Sequence, residues 1–321
     1  MQHSEAVRDI EADAAATIAR GLLLALATPS IAALALDSGV RSAATLRIFA
    51  EIVTIPGFLA VAGWLLARQI IRQRPARLLR SLAPMAACAA AAATFAAAAA
   101  PLAGHDWRAG IALAAPVWRL ALLPVVYALV AAGLRGAPGL LLALAATAHV
   151  AGVILGMPAL AQFIFFVVGV MLAERREALS RLVDEELEFA LASGPFVAVL
   201  SAAVAIRFAQ TGQPLSIAAV GPIALALSLA AAPAALASAV ALRRRPSGEA
   251  FARLGSAAPA LAVCWIPLFA TLIAAANRGA APSAASALLM AFASLLVIAV
   301  IADMALDARE KAGFTGAPAR R

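Results

Sequence analysis

Residues 55–84 read IPGFLAVAGWLLARQIIRQRPARLLRSLAP. An apolar run ends at Ala67. Arg68, Arg72, Arg74, Arg77 and Arg80 then arrive within thirteen residues, with no acid among them. Beyond Leu82 the chain is apolar again. The pattern is two membrane helices joined by a strongly basic loop. Lys and Arg gather in cytoplasmic loops, so this loop is placed inside, and the other segments are oriented from it.

Composition supports the same class. Of 321 residues, 64% are hydrophobic and only 13% charged, against about 25% charged in a soluble domain. The mean hydropathy is +0.95. No soluble fold hides that much apolar surface, so the expected class is all-α, a polytopic integral membrane protein. The net charge of +8 is almost wholly arginine, Lys311 being the single lysine. The positive-inside bias accounts for it, and nucleic acid is not an expected partner. Cys88 and Cys264 sit inside apolar runs, where they read as small buried residues, and no metal site is expected. Residues 1–16 carry Glu5, Asp9, Glu11 and Asp13. A cleavable signal needs a positive start, so the first apolar run is read as a retained helix.

A bilayer core of about 30 Å needs roughly 20 apolar residues at 1.5 Å each. Ten spans are expected, at about 17–36, 48–67, 82–103, 112–133, 139–156, 158–173, 193–209, 215–242, 256–276 and 283–305. Gly156-Met157-Pro158 separates the fifth from the sixth, and such a break can also be a kink in one helix. With both termini cytoplasmic, 19 of the 25 basic residues fall inside. Merging spans five and six would place Arg243–Arg245 outside, so ten helices fit better. The expected organisation is a tail at 1–16, one membrane domain at 17–306 and a tail at 307–321, in a bacterial inner membrane. The alanine-rich stretches suit close helix packing in lipid. The inner loop ERREALSRLVDEELE (174–188) has mixed charge and helical spacing, and is read as a short surface helix.

Few residues offer chemistry. Arg20 opens the first span, where an arginine can simply snorkel. Arg77 and Arg80 are three apart, hence on one helix face. Two adjacent guanidiniums make a fork for phosphate oxygens, suiting a coenzyme A thioester or a lipid headgroup.

From these residues the chain resembles the ten-helix bacterial membrane acyltransferases often called acyltransferase family three. Arg20-Gly21-Leu22-Leu23 resembles the family's Arg-Gly start to helix one. Pro56-Gly57-Phe58 through Gly63-Trp64-Leu65 resembles its helix-two pattern, and Arg77-x-x-Arg80 with Pro84 its paired-arginine motif. Trp118-Arg119-Leu120 with Pro124, and Phe163 with Phe166-Val-Val-Gly169, resemble two later motifs. The resemblance implies that Arg20, Arg77 and Arg80 hold an acyl-CoA donor. It further implies acyl transfer to a sugar hydroxyl of a surface glycan or lipid-linked saccharide. Acyl-CoA would be a substrate, with no tightly bound cofactor, and membrane lipids would surround the protein.

The departure from the family is specific. The implied catalytic histidine, eleven residues after the helix-one arginine, is Ile31 here. Eleven residues is about 16 Å of helix, near mid-bilayer. Ile31 cannot move a proton, and the nearby hydroxyls of Thr28 and Ser30 are poor bases near neutral pH. The helix-two serine is replaced by Ala62. His3 lies in the polar tail, and His105 in the outer loop beside Asp106. His149 lies within span five, where it reads as structural or, since burying it is costly, as functional. None has the family's spacing.

Glu51, Arg119 and Arg207 fall near the outer ends of spans two, four and seven, a possible polar cluster at the outer mouth. Asp303, at the inner end of span ten, stands near the level of Arg20 and Arg80. Gly-rich phosphate loops and HExxH-type motifs are absent. Two alternatives remain beside acyl transfer: a non-catalytic membrane scaffold of a polysaccharide-assembly complex, and a transporter or flippase of a lipid-linked sugar.

Overall fold

The computed structural model describes residues 2–32, 41–72, 122–211, 217–243, 245–257 and 283–311, with isolated positions between 78 and 98 and between 265 and 272. Arg77, Arg119, His105 and most of the expected third and ninth spans lie outside the described residues.

The described elements are helical, with no strand among them. In chain order they are α1 (Gln2–Ala32), α2 (Arg41–Phe49) and, after a π-helical turn at Ala50–Thr54, α3 (Ile55–Arg72). Then follow α4 (Leu122–Gly133), α5 (Pro138–Ile154), the single turn α6 (Pro158–Ala161) and α7 (Phe163–Glu174). The last are α8 (Arg176–Glu185), α9 (Leu187–Thr211), α10 (Ile217–Leu242), α11 (Pro246–Ser256) and α12 (Ala284–Lys311).

Four helical stretches are long and apolar enough to cross a membrane: Ala43–Ala67, Leu187–Thr211, Pro222–Leu242 and Ala285–Met304. Pro158–Glu174 makes a fifth when taken with its bent continuation α8. Ala14–Thr28, Leu122–Gly133 and Pro138–Ile154 are apolar but shorter. The chain is therefore a membrane protein of several spanning helices. Two helices cross the expected domain boundaries. The N-terminal tail is the first half of α1, with Ala15 and Ala16 already buried, and α12 runs on past residue 306.

Helix ends follow local chemistry. Gly136 and Gly156 take positive φ, of 91° and 65°, a conformation with little cost only for glycine. Each is followed two residues later by a proline that starts the next helix, Pro138 and Pro158. At the second site the chain reverses. His149 Nδ1 lies 2.7 Å from the Ala161 carbonyl oxygen, although twelve residues of one straight helix would hold them about 18 Å apart. The Gly-Met-Pro break thus separates two helices and is not a kink.

Three helix crossings hold the bundle. At α3–α7, a Cβ on Gly63 would overlap the Phe166 carbonyl oxygen, and one on Gly169 the Ala60 carbonyl oxygen. At α1–α11, Gly21 presses on Phe251 and Gly255 on Thr17, backbone against backbone. At α9–α10, Ser238 Oγ accepts the Gly194 N–H at 3.1 Å and donates to the Ala190 carbonyl at 2.9 Å. Lipid tails are as apolar as leucine, so helices in a bilayer associate through such close packing and interhelical hydrogen bonds.

Candidate functional site

Pro56 begins a polar site inside the bundle. It lacks an N–H and cannot bond the carbonyl four residues back. The helix widens instead, and Ile55 donates its N–H to the Ala50 carbonyl, five residues back. Such π-turns are concentrated at functional sites. This one carries Glu51, half-buried, with Ile52, Val53 and Thr54 buried beside it.

Gln162 meets Glu51 from the junction of α6 and α7. Its Nε2 donates to Glu51 Oε2 at 3.3 Å. The Gln162 side chain is only 2% exposed, and its Oε1 has no hydrogen-bond partner among the described residues. Two further side chains clamp the short α6. Tyr127 of α4 donates to the Ala159 carbonyl, and His149 of α5 bonds the Ala161 carbonyl. Tyr127 packs on Phe163 and Phe166, and His149 stands edge-on to Phe165. Glu51, Gln162, His149 and Tyr127, from four segments, thus converge on the break after α5. A carboxylate in this setting can accept a proton, and the spare amide oxygen can accept a hydroxyl.

Of the expected outer-mouth residues, Glu51 is therefore paired with Gln162. Arg207 is exposed on α9, a helix that packs on α2, and Arg119 lies outside the described residues. Sequence reasoning passed over Gln162. The signal was present: it is the lone polar residue between Pro158 and Ala173, and polar side chains in membrane helices are costly enough to need a role.

Arg20 does not open its helix but sits within the apolar stretch Ala14–Thr28. It is half-buried and donates from Nη2 to Thr17 Oγ1 at 3.4 Å. Its neighbour Gly21 is at the α11 crossing. Arg80 is exposed and Arg77 lies outside the described residues, which therefore do not include the whole of the expected trio.

Ile31 is 7% exposed and packs in a cluster with Leu24, Ala27, Trp265, Phe269 and Ala291. Thr28 is fully buried, and its hydroxyl is turned back to the Leu24 carbonyl at 3.4 Å. The helix-one position of the expected base is thus apolar and closely packed. Asp303 pairs with Arg253 at 3.5 Å, both side chains substantially exposed, where an ion pair is worth about 0–1 kcal/mol. Among the described residues no group of three or more His, Cys, Asp or Glu is placed to hold a metal.

No protein-family model matches the chain, and no curated protein or solved structure matches it either.

Proposed function

We propose that the protein is a multi-pass inner-membrane acyltransferase of about ten helices with both termini cytoplasmic. It takes an acyl group from acyl-CoA and places it on a sugar hydroxyl of a surface glycan or lipid-linked saccharide. The observation that carries the reading is Glu51, a carboxylate set by a π-turn inside an apolar bundle and held by the buried Gln162 amide. In this reading Glu51 replaces the helix-one base. It takes the proton of the acceptor hydroxyl as that oxygen bonds the thioester carbonyl carbon. The carbon–sulfur bond breaks, and the coenzyme A thiolate leaves and takes up the proton.

The spacing suits such a donor. A Cβ on Gly57 would come within 2.6 Å of Leu23 Cδ2, which sets α1 level with α3 at that point. Leu26 clusters near Ile52, and Ile31 with Ala43, so the two helices run antiparallel. Arg20 lies three residues to one side of this level and Glu51 six to the other, an axial separation of about 14 Å. An extended pantetheine arm covers that distance between a phosphate clamp and a thioester. Arg20, Arg77 and Arg80 are assigned to the donor phosphates on the strength of their fork and the resemblance.

Titration of the purified protein with acetyl-CoA and longer acyl-CoAs by calorimetry tests the donor site. Binding that Arg77→Ala/Arg80→Ala loses supports the reading, and no binding at millimolar donor removes it. The closely packed Ile31 favours a second reading, a non-catalytic relative acting as a scaffold in glycan assembly. That reading expects no acyl transfer with any acceptor, and an unchanged scaffold role in Glu51→Gln.

A further inference from the structure

We propose that a cavity of about 220 Å³ beneath α8 binds the phosphodiester headgroup of an anionic membrane lipid. Its wall is built from four separate parts of the bundle. Ala15 of α1, Trp64 of α3, Leu179 of α8 and Val240 of α10 make the apolar part. Arg176, Ser180 and Arg181 of α8, with Arg243 just past α10, supply the donors, beside Glu177 and Asp184. This site is separate from the Glu51–Gln162 site and does not rest on the proposed function.

Position argues for a lipid. The chain bends by 76° between the apolar helix Pro158–Glu174 and α8, so α8 lies across the end of a membrane helix. Leu179 and Val183 anchor its apolar face, while Leu182 next to Arg181 is 48% exposed. An amphipathic helix of this kind rests at the headgroup level of a bilayer. Size and charge narrow the ligand. Pockets for drug-sized molecules run to about 300–1,000 Å³, so 220 Å³ suits a headgroup and not a coenzyme A nucleotide. Three arginines against two carboxylates leave one net positive charge, matching a phosphodiester monoanion. Each guanidinium has five N–H donors, so contacts within the protein leave donors for phosphate oxygens.

The test uses the full-length protein in mild detergent, with bound lipid counted by native mass spectrometry. Phosphatidylglycerol, phosphatidylcholine and inorganic phosphate are offered separately. The expected result is preferential retention of phosphatidylglycerol, falling about fivefold in Arg181→Gln and again in Arg243→Gln. Arg207→Gln, at an exposed arginine twenty residues, or about 30 Å, along α9 from its start beside α8, leaves retention unchanged. Arg181 is exposed, so its substitution keeps the buried Leu179 and Val183 in place and the fold intact. Equal retention of both lipids, or retention indifferent to Arg181 and Arg243, overturns the proposal. Arginine-dependent binding of inorganic phosphate without a lipid preference overturns the lipid assignment in favour of a soluble phosphate.

Discussion

Gly169→Ala tests the α3–α7 crossing. The added Cβ would overlap the Ala60 carbonyl oxygen, with the Ala60 carbonyl carbon 2.6 Å away and its Cα 2.8 Å away. Carbon atoms pack at about 3.5–4.0 Å, so the helices must part by about 1 Å. Both obstacles are backbone, which no rotamer change relieves. Overpacking of this kind costs about 1–3 kcal/mol, against a gain of about 1 kcal/mol from alanine's helix propensity. Reversible unfolding in mixed micelles, titrated with denaturing detergent, reads the difference. Gly133→Ala is the control, since among the described residues no atom outside its own helix backbone and chain neighbours lies within 4 Å of that Cβ. It should be neutral or slightly stabilising, whereas Gly169→Ala loses up to about 2 kcal/mol net and so falls about 1–3 kcal/mol below the control. Gly63→Ala added to Gly169→Ala should cost less than the sum, because the first substitution has already parted the helices. Gly169→Ala as harmless as Gly133→Ala would refute the close crossing.

Three further outcomes follow from named contacts. Ile31→His places an imidazole among Leu24, Trp265 and Phe269 and should lower stability by about 1–3 kcal/mol, as detergent unfolding would show. Trp265→Phe removes the Nε1 bonds to Ser294 Oγ (3.0 Å) and the Ala291 carbonyl (3.3 Å) and should cost about 1 kcal/mol in the same assay. Arg253→Ala breaks the exposed pair with Asp303 and should change stability by less than about 1 kcal/mol.

Local punctuation was legible in the sequence. The Gly-x-Pro pairs at 136–138 and 156–158 end one helix and start the next, as their backbone constraints require. The surface helix in 174–188 was legible from its mixed charge and apolar spacing, which the buried Leu179 and Val183 now explain. Non-local pairings were not legible. Glu51 and Gln162 are 111 residues apart, and nothing in either neighbourhood names the other. Nor does a sequence say which arginines share a cavity. Arg176 and Arg243 meet because α8 folds under the end of α10. Gly21, Gly63 and Gly169, three of the residues that carry the family resemblance, all sit where backbones touch. That part of the resemblance therefore reports a packing demand, and Glu51 with Gln162 must carry the chemical argument alone.

Radiolabelled acetyl transfer is the most direct measurement of that argument. Membranes containing the protein are given labelled acetyl-CoA, and label is counted in the glycan and lipid-linked saccharide fractions. Matched membranes carry Glu51→Gln, or lack the protein. The account predicts base-labile ester label that requires the protein and falls at least a hundredfold in Glu51→Gln, the usual contribution of a general base. Label that persists in Glu51→Gln, or that is equal in membranes without the protein, would contradict it.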